Sequence, residues 1–204
     1  MLVVGLTGNI ASGKSTVAQL LLEHGARLID SDVLARRAVE PGTHGLERIV
    51  ERWGSSVLQA DGALDRAALR RVVFSNRTEL EALNAIVHPE VERLRQHALS
   101  SARKESVQVA VCDIPLLFEA GLEKSVDRIV LVDAPADVRL ARLVEHRHIS
   151  DDEAQSMMAS QLPAESKRSR ADFVIDNDDT IEALRERVDA LWSSLTAEAK
   201  AATR

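Results

Sequence analysis

An α/β architecture follows from the spacing of the apolar residues: a five-stranded parallel sheet with helices on both faces, carrying a helical insertion. Short apolar, β-branched runs alternate with amphipathic stretches at helical spacing. The runs at Val107–Ile114 and Arg128–Asp133 are nearly continuous in apolar residues, as parallel strands covered on both faces are. Between the second and third strands, residues 33–102 offer several helical stripes and no convincing strand.

Val3–Thr7 ends in glycine and reads as the first strand. A helix follows from about Lys14 to His24, with Val17, Leu20, Leu21 and His24 on one face and Gly25 placed to close it. Arg27–Ile29 is a short second strand ending at Asp30. In the insertion, Leu46, Ile49, Val50 and Trp53 make a stripe closed by Gly54, and Asp65 caps a helix carrying Leu69, Val72 and Val73. Leu80, Leu83, Ile86 and Val87 form another stripe, and Pro89 is expected to open a further helix as its first-turn proline. After the strand at 128–133, a helix runs from about Ala136 to His146. Ser150-Asp151-Asp152-Glu153 is a capping box that starts the next. Phe173–Ile175 is the last strand and Thr180 to about Thr196 the last helix, with a frayed tail expected at Ala197–Arg204.

The 204 residues suit one domain with an insertion or lid rather than two independent domains. With two Trp, three Phe and no Tyr, stacking platforms for single-stranded nucleic acid are missing, and a net charge of -6 is the wrong sign for a phosphate-backbone binder. Cys112 is the only cysteine, which excludes an intramolecular disulfide and a thiolate cluster; it lies in an apolar run and reads as buried. Met1–Leu6 lacks the basic leader and cleavage site of a signal peptide, and no segment has the apolar length to span a bilayer. The expected partner is therefore a small molecule, with no nucleic acid and no membrane. The expected setting is a reducing, cytoplasmic one, and the expected state a monomer or weak homo-oligomer.

Gly8-Asn9-Ile10-Ala11-Ser12-Gly13-Lys14-Ser15 fits G-x-x-x-x-G-K-[ST] and sits between an apolar strand and an amphipathic helix. Triphosphate oxygens need many donors at short range. A tight loop turns its backbone N–H groups inward, and the following helix adds unpaired donors and partial positive charge. Gly8, Ile10, Ala11, Ser12, Gly13, Lys14, Ser15 and Thr16 are the expected nucleotide contacts of such a P-loop, with Lys14 on the β- and γ-phosphates and the Ser15 hydroxyl on Mg²⁺.

The chain has no N-K-x-D base-reading motif and no D-x-x-G switch after a strand, so a GTPase is disfavoured; a short core with a helical insertion is the layout of a small-molecule kinase. Such an enzyme needs a carboxylate at the acceptor. Asp30-Ser31-Asp32, at the carboxyl end of the second strand and expected beside the P-loop, supplies Asp32 for that role or, more plainly, as cap of a helix beginning at Val33. Asp113, ending the third strand, is the candidate second Mg²⁺ ligand or else a strand-end cap. His146 and His148, with no third ligand nearby, read as solvent-facing rather than metal-binding.

Taken together, Gly5–Gly8 and Ser12–Ser15, Asp30-Ser31-Asp32, His88-Pro89, Asp113-Ile114-Pro115-Leu116-Leu117-Phe118-Glu119, Gln161, Lys167, Ala171-Asp172 and Val174–Asn177 resemble the dephospho-CoA kinase family, from Val4 to about Ile181. The resemblance implies an ATP- and Mg²⁺-dependent phosphotransferase of P-loop fold acting on the 3′-hydroxyl of dephospho-CoA. It implies a nucleotide-binding core at 1–32, 103–135 and 171–204, an acceptor subdomain at 33–102 and a lid at 136–170. It places Asp32 at the acceptor, and His88, Leu116, Phe118 and Glu119 along its pocket. Arg142, with Lys14 and Asp32, would be catalytic. The chain departs from the family pattern in two features, the loop and the lid. Asn9 and Ala11 stand where glycines are usual, and the second lid arginine is replaced by His146 with Arg147 next to it. Either Arg147 substitutes or Arg142 acts alone; Arg142 is the expected phosphate contact. Other small-molecule kinases, or a non-catalytic nucleotide switch, are the competing readings.

Overall fold

A computed structural model describes residues 1–73 and 76–202; Thr203 and Arg204 of the expected tail lie outside the described residues. The strands β1 (Leu2–Gly8), β2 (Arg27–Asp30), β3 (Val109–Asp113), β4 (Arg128–Asp133) and β5 (Phe173–Asp176) form one sheet in the order β2-β3-β1-β4-β5. β1 runs parallel to β3 with Leu6 opposite Asp113, and parallel to β4 with Gly8 opposite Val132; β4 and β5 are parallel with Asp133 opposite Asp176. The carboxyl ends of β1, β3, β4 and β5 therefore share one edge, where such sheets bind ligands. β3 separates β1 from β2, so the strand end beside the P-loop belongs to Asp113 and not, as expected, to Asp30.

The backbone clusters into two compact units, Met1–Ile29 with Ala102–Arg204, and Asp30–Ser101. In the first, α1 (Lys14–Glu23) and α9 (Ile181–Ala201) bury Val17, Leu21, Leu184, Val188 and Leu195 against Val4, Leu6, Val111, Val130 and Val132 of the sheet. Full burial of each such side chain contributes about 1.5–3 kcal/mol. α6 (Ala136–Arg147), α7 (Asp151–Ala159) and the short α8 (Ala164–Arg168) belong to this unit. Ser150 caps α7 as expected, its Oγ accepting from the Glu153 N–H at 3.3 Å. His24 leaves the apolar face to which its spacing assigned it and stacks on Trp192 beside Asp189. α9 continues through Ala197–Ala201, where fraying was expected, because Ala199 is buried in the same core.

The second unit holds α2 (Ser31–Arg37), α3 (His44–Trp53), α4 (Arg66–Val73) and most of α5 (Arg77–Lys104) around Leu46, Ile49, Val57, Leu69 and Val73. Asp65 caps α4, accepting from the N–H groups of Ala67 and Ala68. Pro89 does not open a new helix: it sits inside the 28-residue α5. A proline there removes one ladder bond and crowds the preceding turn. Ile86, Val87, Val91 and Leu94 on both sides of it pack into one cluster, and that packing outweighs the local penalty.

Candidate active site

The P-loop leaves β1 at Gly8, where a Cβ would lie 2.5 Å from the Val132 carbonyl oxygen and 2.6 Å from Ser12 Oγ. Gly13 combines φ 88° with a virtual Cβ 2.0 Å from Asn177 Nδ2, so both glycines are demanded by close approach. Four of the loop's carbonyls are paired with donors of the protein. Asn9 O accepts from the Ser12 N–H (3.0 Å), Ala11 O from Arg142 Nη1 (3.3 Å), Ser12 O from Asn177 Nδ2 (2.8 Å), and Gly13 O from the Thr16 and Val17 N–H groups (3.0 and 3.3 Å). The N–H groups of Ala11, Gly13, Lys14 and Ser15 meet no acceptor among the described residues. Open donors at a helix N-terminus, with carbonyl oxygens paired elsewhere, are what a polyanion requires.

Lys14 Nζ forms an ion pair with Asp113 Oδ1, joining α1 to the end of β3. Ser15 and Thr16 are exposed on the first turn of α1. No cluster of three or more His, Cys, Asp or Glu side chains forms among the described residues. Mg²⁺ does not need one, since it retains waters and phosphate oxygens around one or two protein ligands. The Ser15 hydroxyl and the Asp113 carboxylate are hard oxygen donors of that kind.

Behind the loop, Gln161 Oε1 accepts from the Ile10 N–H at 2.8 Å. The next residue, Leu162, donates its N–H to Glu119 Oε1 at 3.1 Å. Lys167, 0% exposed, brings Nζ to 2.6 Å from the same oxygen, without the angle of a hydrogen bond. Burial pushes the Glu119 carboxyl up, but the Lys167 ammonium and the surrounding N–H groups pull harder and hold it below its ordinary value. Glu119, expected on the acceptor pocket, thus uses Oε1 to brace the segment 161–167. Phe118 also departs from that expectation: it is 4% exposed and covered by the Arg170 guanidinium 4.6 Å above its ring, which makes it a packing residue. Leu116 is 48% exposed and available to a ligand.

Of the two arginines Arg142 reaches the P-loop, donating to Ala11 O and also to Asn177 O (Nη2, 3.0 Å), while Arg147 is exposed at the end of α6. His146 and His148 are exposed as well. Arg168 bridges Asp176 (2.7 Å) and Asp133 (2.8 Å), and these two carboxylates raise its already high pKa.

In the second unit, Asp30 rather than Asp32 caps α2: its Oδ1 accepts from the N–H groups of Asp32 (2.8 Å) and Val33 (3.0 Å). The helix starts at Ser31, two residues before the expected Val33, so Asp32 lies in the first turn, exposed, its carboxylate making no hydrogen bond or ion pair among the described residues. The plain capping role is thereby removed from Asp32. His88 is exposed on α5.

Residue types and local spacing did not disclose the work of Gln161, Lys167, Arg168 and Asn177. All four lie far along the chain from the P-loop or from Glu119, and a lysine in a polar stretch carries no local mark of complete burial.

Comparison with known proteins adds independent findings. The family model for dephospho-CoA kinase matches residues 2–183. A dephospho-CoA kinase of Streptomyces avermitilis is 45% identical over 195 residues, covering 96% of this chain and 94% of its own. One from Geobacter metallireducens is 46% identical over 192 residues, covering 94% and 96%. A crystal structure of a protein from Thermus thermophilus superposes with a TM-score of 0.83 at 39% identity, covering 96% of this chain and 98% of that one.

Proposed function

The chain belongs to the dephospho-CoA kinase family, and on that premise we propose how its residues divide the transfer of the ATP γ-phosphoryl group to the 3′-hydroxyl of dephospho-CoA. The open N–H groups of Ala11, Gly13, Lys14 and Ser15 bind the triphosphate, within a loop shaped by Gly8, Ile10, Ser12 and Thr16. Lys14 turns from Asp113 toward the β- and γ-phosphate oxygens and offsets charge on the group in flight. Ser15 and Asp113 are the residues that would hold Mg²⁺, which would offset the negative charge of the phosphates.

Asp32 takes or orients the proton of the acceptor hydroxyl. Its uncommitted carboxylate supports this, because a base must not be spent on a structural hydrogen bond. The unit Asp30–Ser101 receives dephospho-CoA, with exposed His88 as a contact candidate. Residues 136–170 act as the lid, and Arg142 brings cationic charge to the nucleotide. Excluding water there prevents wasteful hydrolysis. Glu119 and Phe118 act by bracing and packing.

The observation carrying this reading is the set of paired carbonyls that leaves open donors around Lys14. Initial rates with Mg-ATP and dephospho-CoA, AMP or adenosine, measured side by side, test it. Dephospho-CoA is expected to have the highest kcat/KM; a higher value for AMP or adenosine would assign a different acceptor.

A further inference from the structure

Asn177 stands just past β5, far in sequence from the P-loop, and is 7% exposed. Its backbone N–H donates to Asp133 O at 2.7 Å, which fixes its main chain to the end of β4. Its side-chain Nδ2 donates to Ser12 O at 2.8 Å, a buried hydrogen bond between residues 165 apart in sequence. Its own carbonyl accepts from Arg142 Nη2, whose partner nitrogen Nη1 holds Ala11 O. A trans peptide sets its C=O and N–H in opposite directions. Holding the Ser12 carbonyl on the Asn177 amide therefore aims the Gly13 N–H, one of the open donors, the other way. Gly13 leaves room for that amide because it has no Cβ to stand 2.0 Å from Nδ2.

We propose that Asn177 is a positioning residue for the P-loop: by fixing the Ser12–Gly13 peptide and anchoring Arg142, it keeps the loop in its phosphate-binding form before nucleotide arrives. It touches the loop's backbone and not the reacting atoms. Without its donor, the Ser12–Gly13 peptide is free to rotate and present a carbonyl oxygen to the phosphates. The inference rests on the reading of the P-loop as the ATP site, and it is tested by binding, so a chain that binds ATP yet fails to phosphorylate dephospho-CoA would overturn the functional reading alone.

The test uses Asn177→Ala and the near-isosteric Asn177→Asp in the full chain, titrated with ATP, inorganic tripolyphosphate and adenosine. ATP and tripolyphosphate dissociation constants are expected to rise about tenfold in Asn177→Ala, as for loss of one buried hydrogen bond. A larger rise is expected in Asn177→Asp, where a carboxylate faces the Ser12 carbonyl. Adenosine affinity should stay within twofold, because the loss is confined to the phosphates. Wild-type affinity for ATP and tripolyphosphate in both variants would overturn the proposal. So would an equal loss for adenosine, which would put Asn177 at the base. Failure of both variants to fold would make Asn177 a residue of the core and overturn it too.

Discussion

Replacing Glu119 by Gln separates the brace behind the P-loop from ordinary surface charge. The amide keeps an oxygen for the Leu162 N–H, 3.1 Å away in the native chain, and removes the charge facing Lys167. That ammonium is completely buried, has Glu119 Oε1 at 2.6 Å as its ion-pair partner, and meets no polar atom with hydrogen-bond geometry among the described residues. A buried charge stripped of its partner costs about 3–5 kcal/mol. Entry of water caps the penalty, so the lower figure of about 3 kcal/mol is expected. For a chain of this length that corresponds to a fall in Tm of about 6–12 °C. Lys167→Met removes the buried ion itself and leaves a carboxylate whose side chain is 19% exposed and can be hydrated; about 1 kcal/mol, or 2–4 °C, is expected. The double variant should resemble Lys167→Met alone. Thermal and urea unfolding at pH 7 without nucleotide give the order. Lys167→Met equal to or more damaging than Glu119→Gln would refute the reasoning. The acid limb supplies a second reading. Glu119's folded pKa lies below its usual 4.5, so its stabilising contribution is full above that value and fades as pH falls through the lower, folded one. Glu119→Gln should flatten that part of the stability curve.

Ala11 holds a left-handed backbone at φ 60°. Relief of about 1–2 kcal/mol of strain, less about 0.4–1 kcal/mol of added chain entropy, makes Ala11→Gly stabilising by about 0.5–1 kcal/mol in urea unfolding. Asp32→Asn should leave the ATP dissociation constant within twofold while kcat falls about 10²–10⁴-fold; unchanged kcat would remove Asp32 from acid–base duty. Arg142→Ala should slow transfer about 10²-fold in single-turnover measurements with little change in dephospho-CoA affinity. Arg147→Ala, exposed on α6, should slow it less than threefold.

The strands and the P-loop were legible because each rests on local pattern: a two-sided apolar run such as Val107–Ile114, or a glycine spacing that admits one kind of turn. Pro89 was misread because a proline signals a helix start locally, whereas α5 is held through it by apolar contacts on both sides. The tail failed likewise, since the burial of Ala199 is tertiary. Within the site, Lys14 and Asp113 were readable as separate motif positions, but their ion pair depends on β3 lying next to β1, and strand order is not a local property. Asp32 was ambiguous between cap and base in the sequence. The geometry of Asp30, one turn-setting carboxylate earlier, resolves the capping half of that ambiguity. Glu119 and Phe118 were placed along the acceptor pocket by the family resemblance, while their partners Lys167 and Arg170 come from a segment roughly fifty residues later that local pattern does not connect to them.

The most direct test of the whole account is phosphorus NMR of the product formed from equimolar Mg-ATP and dephospho-CoA with catalytic amounts of the full chain. A new phosphomonoester resonance coupled to the ribose H3′, appearing in step with ADP, is the expected result. ADP with inorganic phosphate and no new monoester, or a monoester at any other hydroxyl, would contradict the assignment.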